Sequence, residues 1–431
     1  MRRSSGRHWP SRSPWPRPTC RRASVPRRRS ARRSSGVTER RIDLHPCGQT
    51  CGRGGDGRPP ADRRTLRVTS AYDTSWLVEE DQVSPTTPSG EARGPVATLR
   101  RIAFLMERQR EETRRIEAFR NAARTILPLP EEEVRQRVEA GTLTELSGIG
   151  PSTAAVITDA ANGVVPERLV ELEKTAGPLA TGGEELRARL RGDLHSHSDW
   201  SDGGSPLEEM AMTAMELGHD YLVLTDHSPR LRVANGLSPE RLTRQLGVVE
   251  AVNEHLDGAF TLLKGIEVDI LDDGSLDQTP EMLDRLDLRV ASVHSKLKMD
   301  AAPMTKRMLG AVRNPHTNVL GHCTGRLVTG NRGTRGQSQF DAKAVFGACA
   351  EKGVAVEINS RPERRDPPTK LLELARDLGC LFSIDSDAHA PGQLDMLDFG
   401  AARATEAGID PDRIVNTWER DRLLEWASAR L

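Results

Sequence analysis

The chain has 431 residues, with 62 Lys and Arg against 62 Asp and Glu, enough length for two or three domains. The even balance hides a split: residues 1–41 hold 14 Arg and one acid, Glu39, which leaves 48 bases against 61 acids in the remainder. That acidic body excludes a generally cationic nucleic-acid coat. The lack of a run of ~18 apolar residues gives no sign of a membrane span, and six scattered cysteines do not make a secreted disulfide scaffold. A cytoplasmic setting is the default expectation.

Residues 1–91 are rich in Arg, Ser, Pro and Gly, a composition that cannot bury enough apolar surface to offset its ordering entropy, so a disordered extension is expected. No apolar region follows Met1-Arg2-Arg3, so these residues do not form a signal peptide. An Arg-rich, acid-poor head also fits a transit peptide or a nucleic-acid tail. His45, Cys47 and Cys51 offer three zinc-type ligands, but no second pair follows at finger spacing.

Residues 92–182 read as a small all-α domain. Leu99, Ile102, Ala103 and Met106 fall on one helical face. Ile116, Phe119, Ala123 and Ile126 predict a second helix, stopped by Pro128 and Pro130. Pro130 opens a third, whose first turn holds Glu131, Glu132 and Glu133, where the helix dipole favours acids. From Leu143 to Ile157, a short helix, a Gly148-Ile149-Gly150 turn and a second helix make a hairpin. Gly148 and Gly150 allow close backbone approach, and the start of the second helix presents free N–H groups. Residues 143–158 therefore suit a DNA phosphate, and serve equally well as an ordinary packing unit.

Residues 188–431 alternate short apolar runs with amphipathic stretches. Seven strands are predicted, near 192–195, 221–225, 262–270, 288–293, 318–321, 354–358 and 381–384. Helices are predicted around 206–217, 239–256, 303–312, 341–351 and 370–378. Repeated βα units imply a parallel sheet, and seven of them favour a closed α/β barrel with function at the carboxy-terminal strand ends.

Six of the eleven histidines fall at those ends: His195, His197, His227, His294, His322 and His389. Asp202, Glu267 and Asp387 share the same places. Taken singly, each histidine reads more readily as a capped or solvated residue than as a ligand. Nine N and O ligands together suit two or three ions of Zn, Mn or Fe. Closely spaced divalent ions can activate a hydroxide and neutralise phosphoryl oxygens. A Gly-x-Ser-x-Gly elbow and a Walker A loop are both missing.

Asp193-Leu194-His195-Ser196-His197-x4-Asp202-Gly203, Thr225-Asp226-His227-Ser228, Gly265-Ile266-Glu267, Ser292-Val293-His294-Ser295, Leu320-Gly321-His322, Glu357-Ile358-Asn359 and Ser386-Asp387-Ala388-His389 resemble, in order, the motifs of the PHP (polymerase and histidinol phosphatase) family. The resemblance implies a distorted seven-stranded, TIM-like β/α barrel with a trinuclear metal site. Carried over motif by motif, one ion takes His195, His197, Glu267 and Asp387. A second shares Glu267 and takes His294 and His322, and a third takes Asp202, His227 and His389. Glu267, Asp387 and His322 become the catalytic candidates. Arg361, Lys296 and Arg326, on loops leaving strand ends, become the candidates to bind a substrate phosphate.

The helical domain resembles the amino-terminal domain of bacterial family X DNA polymerases, through Phe119-Arg120-x-Ala122-Ala123, the hairpin and Val165-Pro166-x2-Leu169-x2-Leu172. Relatives with lyase activity use a lysine where this chain has Val156, Pro151 removes one backbone donor, and the nucleotidyl-transfer palm has no room before residue 188. The expected activity is therefore a metal-dependent phosphoesterase, acting at DNA 3′ ends as a 3′-5′ exonuclease without polymerase activity. The alternatives are a small phosphomonoester phosphatase of the histidinol-phosphatase type, and a DNA-binding accessory protein.

Overall fold

A computed structural model describes residues 93–330 and 333–429. The expected disorder of residues 1–91, with Cys47 and Cys51, lies outside the described residues.

The helical module runs α1 (Pro95–Arg108), α2 (Thr113–Ile126), α3 (Glu131–Ala140), α4 (Pro151–Ala161), α5 (Glu167–Glu173) and the single turn α6 (Glu184–Arg187). The spacings of three and four meet in one core: Leu99, Ile102 and Met106 of α1 pack with Phe119 and Ile126 of α2 and with Val156 and Ile157 of α4. Each such fully buried aliphatic or aromatic side chain stabilises the module by roughly 1.5–3 kcal/mol. Val156 is therefore a core residue as well as a departure from the lyase pattern. α3 ends at Gly141, whose φ of 67° is the left-handed turn that a helix stop of this kind needs.

The barrel strands are β1 (Gly192–Ser196), β2 (Tyr221–Leu224), β3 (Thr261–Asp269), β4 (Leu288–Ser292), β5 (Val319–Leu320), β6 (Ala355–Asn359) and β7 (Leu381–Asp385). They lie side by side in chain order, all parallel. A parallel bridge from Ser196 to Ala388 brings the last strand back to the first. Around the strands lie α7 (Leu207–Glu216), α8 (Pro239–Leu256), α9 (Pro280–Leu283), α10 (Ala301–Arg313), α11 (Ala342–Lys352), α12 (Thr369–Asp377), α13 (Leu397–Glu406) and α14 (Arg420–Ser428). Strands sandwiched in this way read as continuous apolar runs, and β2, β4 and β6 are buried at every position.

Every predicted strand appears. Five helices were missing from the sequence reading: α5 and the single turn α6 in the helical module, and in the barrel α9, a single turn, and α13 and α14, which follow the last strand. All described helices and strands lie in one compact unit, residues 70–431. Among the described residues no helix is long and apolar enough to cross a membrane.

Candidate metal centre

The parallel topology puts all seven carboxy-terminal strand ends at one mouth. His195 is the penultimate residue of β1, and His197 and Asp202 follow the strand. His227 follows β2, Glu267 lies in β3, and His294 and His322 each come two residues after β4 and β5. Asp387 and His389 follow β7. All nine sequence-predicted ligands therefore converge.

Glu267, 1% exposed, sits at the middle. Its Oε1 lies 2.9 Å from Nε2 of His322 and 3.1 Å from Nε2 of His294. Its Oε2 lies 2.9 Å from Nδ1 of His227, 3.3 Å from Nε2 of His195 and 3.6 Å from Nε2 of His197. Asp387 Oδ1 stands 3.4 Å from Nε2 of His197. Asp202 Oδ1 stands 3.5 Å from Nε2 of both His227 and His389.

Four groups have ligand atoms within 4.8 Å of one another: His197, Asp202, His227 and His389; His195, Glu267 and His322; His195, His197 and Asp387; and His227, Glu267 and His294. The motif-by-motif allocation differs in three respects: His197 also joins the Asp202 group, Glu267 and His322 group with His195, and Glu267 and His294 group with His227, so the allocated set Glu267, His294 and His322 is not itself one of the four groups.

The donor set fits cations. Both Glu267 oxygens and the Nε2 atoms of His195, His197 and His322 are buried with no hydrogen-bond partner, although they face one another at contact distance. Leaving so many buried polar atoms unsatisfied would cost roughly 1–3 kcal/mol each. Atoms that converge without hydrogen-bonding one another are arranged for ions among them.

Surrounding residues fix the rings. His195 Nδ1 meets Glu357 Oε1 at 2.6 Å, and the other Glu357 oxygen accepts the backbone N–H of His322. His294 Nδ1 bonds Asp269. These contacts hold each Nδ1 on a carboxylate and turn Nε2 inward. Asp226 accepts bonds from Ser198 and Ser201 and so shapes the loop to Asp202. Asp387, at the left-handed φ of 52°, receives Asn359 Nδ2 at 3.1 Å and Arg364 Nε at 3.0 Å on Oδ2.

In the metal-free protein, burial opposes charge on His294, but Glu267 and Asp269 outweigh it and raise the ring to about 10. Burial and the neighbouring His389 and His227 push His197 down to about 3. Burial works against ionisation of Glu267, yet the ring of histidines holds its carboxyl well below the usual range. Asp387 is held low in the same way, mainly by Arg364. A carboxylate that stays ionised at this depth is a ready ligand.

The three phosphate candidates fare differently. Arg361 reaches the centre, but its Nε and Nη2 are taken by Glu363 Oε1 and its Nη1 by the Asp387 carbonyl. Arg326 holds the backbone carbonyls of Arg364 and Arg365. Lys296 pairs with Asp272 and is 63% exposed. Sequence reasoning passed over Arg364, Glu357, Asp269 and Asn359. Arg364 lies in a turn closed by its N–H on the Arg361 carbonyl, where no periodicity marks which side chain turns inward. Glu357 and Asn359 lie two apart on β6, inside the Glu357-Ile358-Asn359 motif, and alternate strand positions alone do not say which neighbour each side chain meets.

The hairpin lies on the same unit. Gly148 has φ 92°, and a Cβ there would stand 3.1 Å from Thr125 Oγ1. Gly150 has an ordinary φ of −97° and open space where a Cβ would go. The Gly150 N–H donates to Thr153 Oγ1 at 3.1 Å. With Pro151 lacking a donor, the Ser152 and Thr153 amides remain at the start of α4.

Residues 193–361 match the model of the PHP domain, and residues 93–163 that of a helix-hairpin-helix domain. The chain carries a PHP domain behind a helix-hairpin-helix domain. The Bacillus subtilis DNA polymerase/3′-5′ exonuclease PolX is 36% identical over 228 residues, which cover 53% of this chain and 39% of that protein. The chain thus spans well under half the length of that relative. A probable phosphatase of Thermoanaerobacter sp. is 27% identical over 236 residues, 52% of this chain and 89% of its own length. The Escherichia coli probable phosphatase YcdX is 28% identical over 252 residues, 55% and 94% of the two chains. The crystal structure of histidinol phosphate phosphatase from Lactococcus lactis, complexed with Zn, L-histidinol and phosphate, superposes with a TM-score of 0.38 at 17% identity, over 51% of this chain and 95% of that one.

Proposed function

We propose that this chain is a metal-dependent phosphoesterase and that its substrate is the 3′ end of a DNA strand. The observation that carries the first half is the set of converging, buried, unpartnered donor atoms around Glu267. Three ions fit the reading best: one held by His195, His197, Glu267 and Asp387, one by Glu267, His294 and His322, and one by Asp202, His227 and His389. Bound divalent ions would supply Lewis-acid stabilisation of phosphoryl oxygens and an acidified water.

The chain's own groups do the rest. Glu267 shares its two oxygens between the first two ligand sets and fixes their spacing. Glu357 and Asp269 hold His195 and His294 with Nε2 inward. Arg364 presents a guanidinium beside Asp387, the position from which a phosphoryl group would be clamped. Arg361 braces Glu363 and the Asp387 backbone.

Two things support DNA as the substrate. A relative 36% identical over 228 residues of the chain is named as a DNA polymerase/3′-5′ exonuclease. The hairpin also connects to the loop of Asp202 indirectly, through α2: Thr125 bonds the Ser147 carbonyl, and the next residue back, Arg124, bonds the Gly204 carbonyl two residues from Asp202. Residues 143–158 carry no base and one acid, Glu145, so DNA phosphates there would meet backbone amides. A second reading, a small-phosphomonoester phosphatase, is favoured by the probable-phosphatase relatives, whose lengths the chain spans at 89% and 94%.

The deciding experiment measures phosphate release from small monoesters and 3′-terminal nucleotide release from single-stranded and duplex DNA, with Mn²⁺ or Zn²⁺ added. Nucleotide release at the higher kcat/KM supports the DNA reading. Release of inorganic phosphate alone overturns it in favour of the second, and no turnover with either metal overturns the phosphoesterase reading itself.

A further inference from the structure

The loops that carry Asp202 and His389 are gripped from outside the barrel. Gly392 lies three residues beyond His389, in the 3-10 turn Pro391–Met396. Its N–H donates to Glu107 Oε2 of α1 at 2.6 Å, across 285 residues of chain. A Cβ on Gly392 would stand 2.3 Å from the Phe104 carbonyl oxygen and 2.8 Å from the Glu107 Cβ, so only glycine lets the turn and α1 approach this closely. Glu107, 3% exposed, is held in turn by Arg120 of α2, through Nε at 2.9 Å and Nη2 at 2.7 Å. Arg120 Nη1 reaches Glu209 on α7 of the barrel. Arg108 of α1 bonds Asp395 at 2.6 Å in the same turn.

That turn bears directly on His389, because Gln393 Oε1 accepts the His389 N–H at 2.9 Å. The other loop is held through Arg124 of α2, which donates to the Gly204 carbonyl, while the Gly204 N–H donates to the His389 carbonyl at 2.7 Å. One continuous set of bonds thus runs from α1 and α2, through Gly392 and Gly204, to both loops. By contrast, His195, Glu267, His294 and His322 lie on or just past their own strands, with Glu357 or Asp269 on two of the rings.

We propose that α1 and α2 form a wall of the metal centre, with Glu107, Arg120 and Arg124 as positioning residues for Asp202 and His389, two members of the ligand set Asp202, His227 and His389. The inference rests on the reading of those three residues as ligands. It makes the helical module a structural part of one of the three ion positions, independent of any contact it makes with DNA. Asp202, with 31% side-chain exposure, is the ligand least fixed by its own strand. A loop ligand of that kind gains most from being held, since ordering it at the moment of binding costs conformational entropy.

The test uses the full chain and reads metal content. Arg124→Met removes the bond to Gly204 at an exposed position, and Gly392→Ala forces α1 and the turn apart. Each is stripped, reloaded at limiting Mn²⁺ or Zn²⁺, and analysed by elemental analysis and calorimetric titration, with His389→Ala beside it. The expected result is one ion fewer per chain than wild type at limiting metal, with the affinity of that ion weakened roughly tenfold or more. The other ions should keep their affinity, and metal-free Arg124→Met should unfold at nearly the wild-type temperature. If Gly392→Ala does not fold, Arg124→Met carries the test alone. Unchanged stoichiometry and affinity in Arg124→Met, beside a His389→Ala that loses an ion, would overturn the positioning role and leave the ligand reading intact. A His389→Ala that keeps full metal content would overturn the ligand reading, and the positioning role with it.

Discussion

Glu267 Oε1 lies 2.9 Å from Nε2 of His322, two strands away across the barrel, and neither atom has a hydrogen-bond partner. The two sit at contact distance without bonding, as two ligands of one cation do. The second oxygen of Glu267 stands in the same relation to His195 and His197.

Glu267→Gln should therefore disturb more than one ion. The amide keeps the shape but supplies one neutral oxygen and an N–H directed at histidine nitrogens. Bound metal should fall by at least one ion per chain, and phosphoesterase turnover by roughly a thousandfold or more, at the upper end for one electrostatic group. Elemental analysis and a turnover assay check both. Wild-type metal content with a wild-type rate would sink the multi-ion reading.

With metal supplied in excess to offset the loss of a partner on Asp387, Arg364→Met should lower kcat/KM by roughly 10²–10³-fold, the usual range for losing one charged or hydrogen-bonding group aimed at a transition state. Arg364→Lys should recover little of this, because an ammonium cannot reproduce the fork. Arg361→Met should instead lower thermal stability, since it releases Glu363 and the Asp387 carbonyl. Steady-state kinetics and thermal melts on the three variants separate clamp from brace.

Burial, with a smaller push from Arg187, lowers His219 to about 3 from an ordinary 6.5, and neither ring nitrogen has a partner. The folded-state value is the lower one, so the unfolded chain binds the proton between those limits. Stability is then full above about pH 6.5 and is lost as pH falls, by about 1.4 kcal/mol per unit from this group. His219→Leu should remove that contribution. Urea unfolding of the metal-free protein from pH 7 to pH 5 should show the gap between variant and wild type widening on the variant's side, and a constant gap would refute the assignment.

The hairpin is best tested at Gly150. Gly148 needs its left-handed backbone for the fold itself, so replacing it confounds folding with binding. A Cβ at Gly150 meets nothing within 4 Å in the protein, so a side chain there starts in open space, where an approaching ligand would meet it. In a chain lacking residues 1–91, whose 14 Arg between residues 1 and 41 would mask the effect, Gly150→Val should weaken DNA binding and leave small-ester hydrolysis unchanged. Wild-type binding should itself weaken as salt rises. Fluorescence anisotropy with a labelled oligonucleotide reads both, and equal affinity for variant and parent at low salt would remove the hairpin from the DNA reading.

The sequence determined the strands and the nine converging residues. Sandwiched parallel strands are uniform apolar runs, and a His or Asp just past such a run must lie at the barrel mouth, because every strand ends on the same side. The helical module was legible for the same kind of reason, since α1 and α2 each show one apolar face to a neighbour. Tertiary structure alone decided how the residues share work. No spacing along the chain says that Glu267 faces five histidines, that Glu363 takes up the fork of Arg361 while Arg364 turns to Asp387, or that His197 approaches Asp202. Nor could it show Glu107 meeting Gly392 across 285 residues. Local periodicity reports which face of an element is buried. Which side chains meet across elements depends on how closely two backbones approach, and here a glycine hydrogen at Gly392 sets that distance.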